Sequence, residues 1–448
     1  MAIRSVAPGR NIVSCLDRRP QTLLYAACAV TRDSRFGRLL GRSVGRANHG
    51  NLVGADSLCS DASILIALRR LNSATLDEEE YRVRRVVLST CKLVLMVALG
   101  HQFATAADGP PVVAYPDHSN LLVVRDAEGH ERPVKSRADW AVRVGHLREN
   151  MQLVMGRLPD STRRVPLDVT VVSEESTGKY VRRKIKFTPE PDDRVPAWLL
   201  IPAGLKEGEK APAMLCLHQT TGIGKDEPAG LGGLRSLHYA HELAERGFIC
   251  IVPDYPSFGE YPYDFKKQGA HYASGSMKAI WNNIRAVDVL QTLPQVDKDR
   301  IGVIGHSLGG HNSLFTAVFD ERLKAVVTSC GFTPFPDYYG GKLAGWTSDR
   351  YMPRIREVYG NDPRKVPFDF YEILASLAPR GVYSNSPLHD DNFDVDGVKK
   401  AFRKAEEVYS LFDATAQLKL VTPDAPHDFP EAQRLQSYDW LSEQLKSK

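Results

Sequence analysis

The pattern of apolar and polar positions changes character twice along this chain, and the changes outline a fold. Leu167 to Val172 and Val181 to Phe187 alternate apolar with polar residues, and Pro196 to Ile201 follows an acidic turn. A period of two predicts strands covered on one side, here antiparallel strands at a sheet edge. Beyond residue 210 the runs become continuous. Ala213 to Leu217 and Phe248 to Val252 are apolar throughout, with a helical pattern at Ser236 to Arg246 between them, which predicts a parallel crossover unit. A helix over Ala279 to Leu293 precedes a strand at Ile301 to Ile304, and Leu323 to Thr328 predicts the next strand. Strand signals return at Gly381 to Ser384 and Gln417 to Val421, separated by an acidic loop and a helix over Val398 to Leu411, and an amphipathic helix over Glu431 to Leu445 closes the series. The class this predicts is α/β: a doubly wound, mostly parallel central sheet with helices on both faces. Such a sheet gathers its active loops at the carboxyl ends of its strands.

Between residues 332 and 372 the rhythm breaks. Phe332, Phe335, Tyr338, Tyr339, Trp346, Tyr351, Tyr359, Phe368, Phe370 and Tyr371 fall among prolines and basic residues. This aromatic-rich stretch is expected to be an insertion over the active end of the sheet, with some rings packing it down and others, Phe335 and Trp346 among them, offered to a substrate.

Upstream, residues 107–164 read as a flank packed on the main domain of residues 165–448. A short strand is expected at Leu121 to Val124 and a turn at Glu128-Gly129. Trp140, Val144, Leu147, Met151 and Val154 lie three or four apart, predicting an amphipathic helix over Ala138 to Met155. Residues 1–80 carry no sustained periodicity and are expected to be a disordered or mis-assigned extension. In residues 81–106, Arg82, Arg84 and Arg85 precede an apolar run, and Ala104-Thr105-Ala106 offers a small-residue cleavage pattern. That is the anatomy of a signal peptide placed too far from the terminus. The expectation is translation from near Val83 to Val87, a mature chain from near Ala107, and export to the periplasm or beyond without lasting membrane association. Lys92 and the short run Leu93 to Leu99 argue against a spanning helix.

Composition narrows the classes. A formal charge of +4 over 448 residues, much of its positive share in early arginines such as Arg4, Arg10 and Arg18, does not describe a nucleic-acid-binding surface. Of seven cysteines, Cys216, Cys250 and Cys330 sit on or beside apolar runs, as buried free thiols do.

The candidate chemistry lies in DKDRIGVIGHSLGG, Asp297 to Gly310. A strand enters a G-x-S-x-G turn and leaves as a helix, the pattern of a nucleophile held on a strained elbow with no room for side chains at Gly305 and Gly309. Ser307 is the candidate nucleophile. A serine hydroxyl needs a general base and an acid to orient it. His427, after the last predicted strand, is the candidate base. SPLHDDNFDVDG supplies the acid: Asp390 is ranked first for its reach from the strand end and Asp391 second, with Asp394 and Asp396 expected to cap the following helix. The backbone N–H of Leu308 would serve one side of an oxyanion, and the loop LCLHQTTG the other, at Thr220 or alternatively Gln219 or Thr221. His218 is expected to shape that loop. Gln219 and Tyr255 join the pocket candidates. His306, His311, His389 and Asp391 match no zinc spacing, so neither a metal nor another cofactor is expected.

With LCLHQTTGIGKDEPAG, ICIVPDYPSFGEY, VDKDRIGVIGHSLGG, SNSPLHDDNFDVDG and PDAPHDFP together, residues 165–448 resemble the α/β-hydrolase superfamily, particularly its dienelactone-hydrolase-like and acetyl xylan esterase-like branch. The resemblance implies Ser307, Asp390 and His427 as a triad, and the amides of Thr220 and Leu308 as oxyanion donors. Dienelactone hydrolases use a cysteine nucleophile, so the serine implies carboxylic-ester chemistry; glucuronoyl esterases usually carry arginine directly after the serine, where this chain has Leu308. The expected activity is a cofactor-independent serine esterase acting on small-molecule or carbohydrate esters, acetylated polysaccharide among them. A prolyl-oligopeptidase-like peptidase acting on short peptides and a noncatalytic binding protein on the same fold are the alternatives.

Overall fold

The computed structural model describes residues 113–268 and 272–446. The expectations for residues 1–80 and 81–106 lie outside the described residues. Eleven strands and seven helices of more than one turn frame the described part: β1 (Val123–Arg125), β2 (Glu131–Pro133), α1 (Arg137–Met155), β3 (Thr170–Ser176), β4 (Tyr180–Phe187), β5 (Val195–Pro202), β6 (Ala211–Leu217), α2 (Tyr239–Glu245), β7 (Ile249–Pro253), α3 (Gly275–Thr292), β8 (Val296–His306), α4 (Leu308–Phe319), β9 (Leu323–Ser329), α5 (Phe370–Ser376), β10 (Gly381–Asn385), α6 (Val395–Ser410), β11 (Leu418–Val421) and α7 (Glu431–Gln444).

One nine-stranded sheet runs β11-β10-β9-β8-β6-β7-β5-β4-β3. β6 to β11 are parallel to their neighbours within that set, and β5, β4 and β3 are antiparallel at one edge. The continuous apolar runs have a physical reason, because both faces of the parallel part are covered. Ala213, Leu215 and Leu217 of β6 belong to a core that also contains Met277 and Ile280 of α3 and Leu314 and Phe315 of α4. Met214 and Cys216, pointing the other way by the strand's period of two, join Tyr239 and Leu243 of α2 and Tyr438 and Leu441 of α7. Cys216, Cys250 and Cys330 are free and buried.

Two local departures from the sequence reading have visible causes. The first edge strand begins three residues later than its apolar pattern, because Asp168 takes a left-handed conformation (φ 41) that turns the chain before β3. β3 is exposed along its length and bulges between Val171 and Ser173, a common way to blunt an edge. The second is α5, which straddles the end of the aromatic-rich stretch expected to be an insertion. It is nucleated by a capping box in which Asp369 accepts from the helix and Glu372 reaches back to the Asp369 N–H. Among the described residues no helix is long and apolar enough to cross a membrane.

The flank is tied to the insertion through charge. Arg143 of α1 donates to Glu372 of α5 at 2.6 Å with both side chains at most 2% exposed, and His118 meets the other carboxylate oxygen at 2.9 Å. Arg354 of the insertion donates to the Leu153 carbonyl of α1 at 2.7 Å. Removing one member of a buried pair strands the other without solvation. Arg143→Met should therefore lower unfolding free energy by about 3–5 kcal/mol, read from urea denaturation followed by circular dichroism.

Candidate active site

β8 delivers Ser307 onto a backbone conformation rare for any side-chain-bearing residue, φ 52 and ψ −115, and α4 starts at the next residue. The turn is held from several sides. The Ser307 N–H donates to the Ser329 carbonyl at 2.8 Å, and the His311 N–H returns to the Ser307 carbonyl at 3.2 Å. A Cβ at Gly305 would overlap the Gly309 carbonyl, and one at Gly309 would overlap the Leu217 carbonyl at the end of β6. The glycines are thus a condition of backbone passing over backbone. Leu308 occupies the first position of α4, where a helix leaves its N–H groups without internal partners.

The loops after β10 and β11 arrive together. Beyond the strands, the amides of Ser386, Leu388 and His389 donate to the carbonyls of Val421, Pro423 and Ala425 at 2.9, 2.9 and 3.1 Å. This backbone pairing carries Asp390 and His427 to 2.8 Å, Nδ1 to Oδ1. A carboxylate accepts, so His427 Nδ1 is the donor and Nε2 is left out of this bond. The same oxygen also accepts from the Asn392 and Phe393 amides, at 2.8 and 3.1 Å. Burial by itself would raise the Asp390 carboxyl; the His427 hydrogen bond and charge, the Asn392 amide and the Cys330 thiol outweigh it and hold the group below the ordinary carboxylate range. Asp391 is exposed. Asp394 accepts from the Gly397 N–H and caps α6.

The loop after β6 is fixed by His218, which donates from Nδ1 to the Gln219 carbonyl at 2.6 Å and accepts the Tyr255 N–H on Nε2 at 2.9 Å. Its burial keeps the ring neutral, with its pKa lowered. Below it, Asp254 accepts the Lys225 and Glu260 amides and pairs with the buried Lys225 ammonium at 3.1 Å, binding the loops after β6 and β7 together. Nothing in the sequence pattern had singled out that pair.

Ser307, Leu308, His427, Gln219 and Thr220 line one open cleft of about 320 Å³, with His311, Tyr338, Gly345, Trp346, Tyr351, Asn392 and Phe393. The Thr220 hydroxyl is 2.8 Å from that of Tyr351. Trp346 and Gln219 therefore stand where a pocket role requires. Tyr255 and Phe335 do not. Tyr255 packs with Phe258 and Leu308 and donates its hydroxyl to the Arg350 carbonyl, while Phe335 is fully buried against Trp346, Phe368 and Phe370. Asn392 and Phe393 were within reach of the sequence, two and three residues past Asp390; His311, one turn into α4, faces the same cleft. Cys330, Asp390 and His427 also offer ligand-type atoms within 4.8 Å of one another, but burial holds the thiol pKa far above its usual value, and the group reads as hydrogen-bonded chemistry.

A strained serine between a parallel strand and a helix, at the carboxyl edge of this strand order, decides the fold family. The protein has the α/β-hydrolase fold. Residues 236–446 of this hydrolase match the prolyl oligopeptidase family. It is similar to the putative hydrolase YtaP of Bacillus subtilis, 25% identical over 62% of this chain and 92% of the relative. It is also similar to the 4-O-methyl-glucuronoyl methylesterase of Hypocrea jecorina, 27% identical over 30% of this chain and 32% of the relative. Matches to the other curated relatives span less than half of their lengths. The glucuronoyl esterase from Solibacter usitatus shares the fold, with a TM-score of 0.57 at 18% identity over 76% of this chain and 98% of that one.

His311 supplies a pH test of this architecture. Burial lowers its pKa to about 3, so the folded state resists a proton that the unfolded chain accepts near 6.5. The stability tied to this depressed pKa is fully present above about pH 6.5 and is lost progressively as pH falls toward 3. The stability gap between wild type and His311→Asn should be widest at pH 7 and shrink by pH 4, read as the difference in Tm at each pH.

Proposed function

We propose that this α/β-hydrolase cleaves carboxylic esters through an acyl-enzyme, with Ser307 as nucleophile, His427 as base and Asp390 as the acid that orients it. Ser307 Oγ attacks the ester carbonyl as His427 Nε2 takes its proton. The N–H groups of Leu308 and Thr220 receive the oxyanion, the imidazolium protonates the departing alcohol, and water releases the acyl group by the same route. The observation that carries the reading is the 2.8 Å Asp390–His427 bond at the wall of the cleft that Ser307 also lines. No cofactor enters the scheme.

The cleft wall favours neutral substrates. Among the described residues lining it, none is Lys, Arg, Asp or Glu, while Tyr338, Trp346, Tyr351 and Phe393 supply aromatic surface. Such surfaces suit sugar rings and aryl groups, and the named esterase relatives point the same way, so carbohydrate esters are the leading substrate class, acetylated polysaccharide first. Leu308, 1% exposed in an apolar cluster, puts a hydrocarbon side chain directly after the serine and moves the reading from glucuronoyl toward acetyl esters. Export rests on residues 81–106 alone. The prolyl oligopeptidase match favours a second reading, an acyl-transfer peptidase; comparison of acetylated xylan, methyl glucuronoyl esters and aminoacyl amides separates the two. Ser307→Ala should abolish hydrolysis of short p-nitrophenyl esters while leaving the circular dichroism spectrum and Tm unchanged. Retained turnover in that variant defeats the assignment.

A further inference from the structure

The two carboxylate oxygens of Asp390 are unequally served. Oδ1 accepts from His427 and two backbone amides. Oδ2 is sealed from solvent and has no partner in ordinary hydrogen-bond geometry. A buried carboxylate oxygen without a donor is costly, and the adjacent candidate is a thiol. The Cys330 sulfur, a carboxylate oxygen of Asp390 and a ring nitrogen of His427 lie within 4.8 Å of one another.

Cys330 is placed there by its backbone. It follows β9 with φ 48, a conformation few side-chain-bearing residues adopt, and its N–H donates to the Asn385 carbonyl at the end of β10 at 2.8 Å. Its sulfur also stands 3.3 Å from the carbonyl of Asp428, the residue after the base. The thiol proton lies on that contact, but the carbonyl also accepts from the Asn385 side-chain amide at 2.9 Å and so keeps a partner when the thiol proton turns toward the carboxylate. The thiol stays protonated, since burial and the Asp390 charge push its pKa well above the usual range. It is therefore a donor in this setting.

We propose that Cys330 is a positioning residue whose single S–H proton turns between the Asp428 carbonyl and Asp390 Oδ2, holding the acid and base loops in one register. The proposal rests on the assignment of Asp390 and His427 as the acid–base pair. Without the donor, the carboxylate charge is concentrated on the side facing His427, which stabilises the imidazolium, and the ring loses part of its orientation. Serine keeps a donor at this position; alanine and valine do not.

The test measures kcat, KM and the pH profile of kcat/KM on a p-nitrophenyl ester for Cys330→Ser, Cys330→Ala and Cys330→Val, with Tm alongside. Loss of one orienting hydrogen bond corresponds to a fall in kcat of about ten-fold in the Ala and Val variants. KM should hardly move. The acidic limb of the profile should rise by about half a pH unit, and Cys330→Ser should restore both rate and profile. Ala and Val variants with wild-type kcat and an unmoved acidic limb would overturn the proposal, as would a Ser variant impaired as much as Ala in step with its loss of Tm, which marks packing alone. Asp390→Asn and His427→Ala run in the same assay separate the two levels: full activity in those variants overturns the acid–base assignment itself, whereas inactivity there with unaffected Cys330 variants overturns only the positioning role.

Discussion

The closest approach in the site is one of backbone to backbone, where the start of α4 crosses the end of β6 at Gly309 and Leu217. Because no side chain fits between them, the separation of the two elements is fixed by main-chain atoms alone. The same holds on the other flank, where Gly310 lies against Gly331 beyond β9. Ser307 is squeezed into its strained conformation by this double constraint, and strain of this kind persists only where the surroundings over-determine it. The direction of the Leu308 N–H and the position of the serine hydroxyl follow from that crossing.

The remaining parts reach the site on loops, yet few of these loops are free to wander. The loops carrying Asp390 and His427 continue the parallel pairing of β10 and β11 through three further main-chain hydrogen bonds, so the two residues arrive as a unit. The loops after β6 and β7 are joined by His218 and by the Asp254–Lys225 pair. Preorganisation here comes from main-chain geometry and from neutral or paired buried groups, and side chains such as Thr220 and Tyr351 form only the outermost layer.

What could be read from the sequence divides along physical lines. The parallel strands were legible because cover on both faces demands unbroken apolar runs, and the elbow because its crossing demands glycine at fixed spacing. The meeting of Asp390 with His427 could be read from their order after the last strands. Element ends were less legible: one left-handed residue, Asp168, moves the first edge strand, and α5 depends on a capping box, Asp369 and Glu372, that lies hidden among aromatic residues. The insertion was the hardest part. Its backbone is largely irregular, so no period tells which rings face inward, and Phe335 and Trp346 look alike in sequence although, of these two core residues, Trp346 alone also lines the cleft.

The contact between Arg143 and Glu372 bears on where this enzyme begins as a folding unit. The hydrolase-like motifs of the sequence lie beyond residue 165, but Trp140, Leu147, Met151 and Val154 of the preceding helix are part of the same core as the central strands. The helix clasps the last helix of the insertion from behind and, through Arg354, the segment just after the cleft-lining Tyr351. A piece cut at residue 165 would keep Ser307, Asp390 and His427 yet open a hydrophobic flank and free the roof of its own cleft. The cleft residues and the smallest body able to hold them therefore have different limits along the chain.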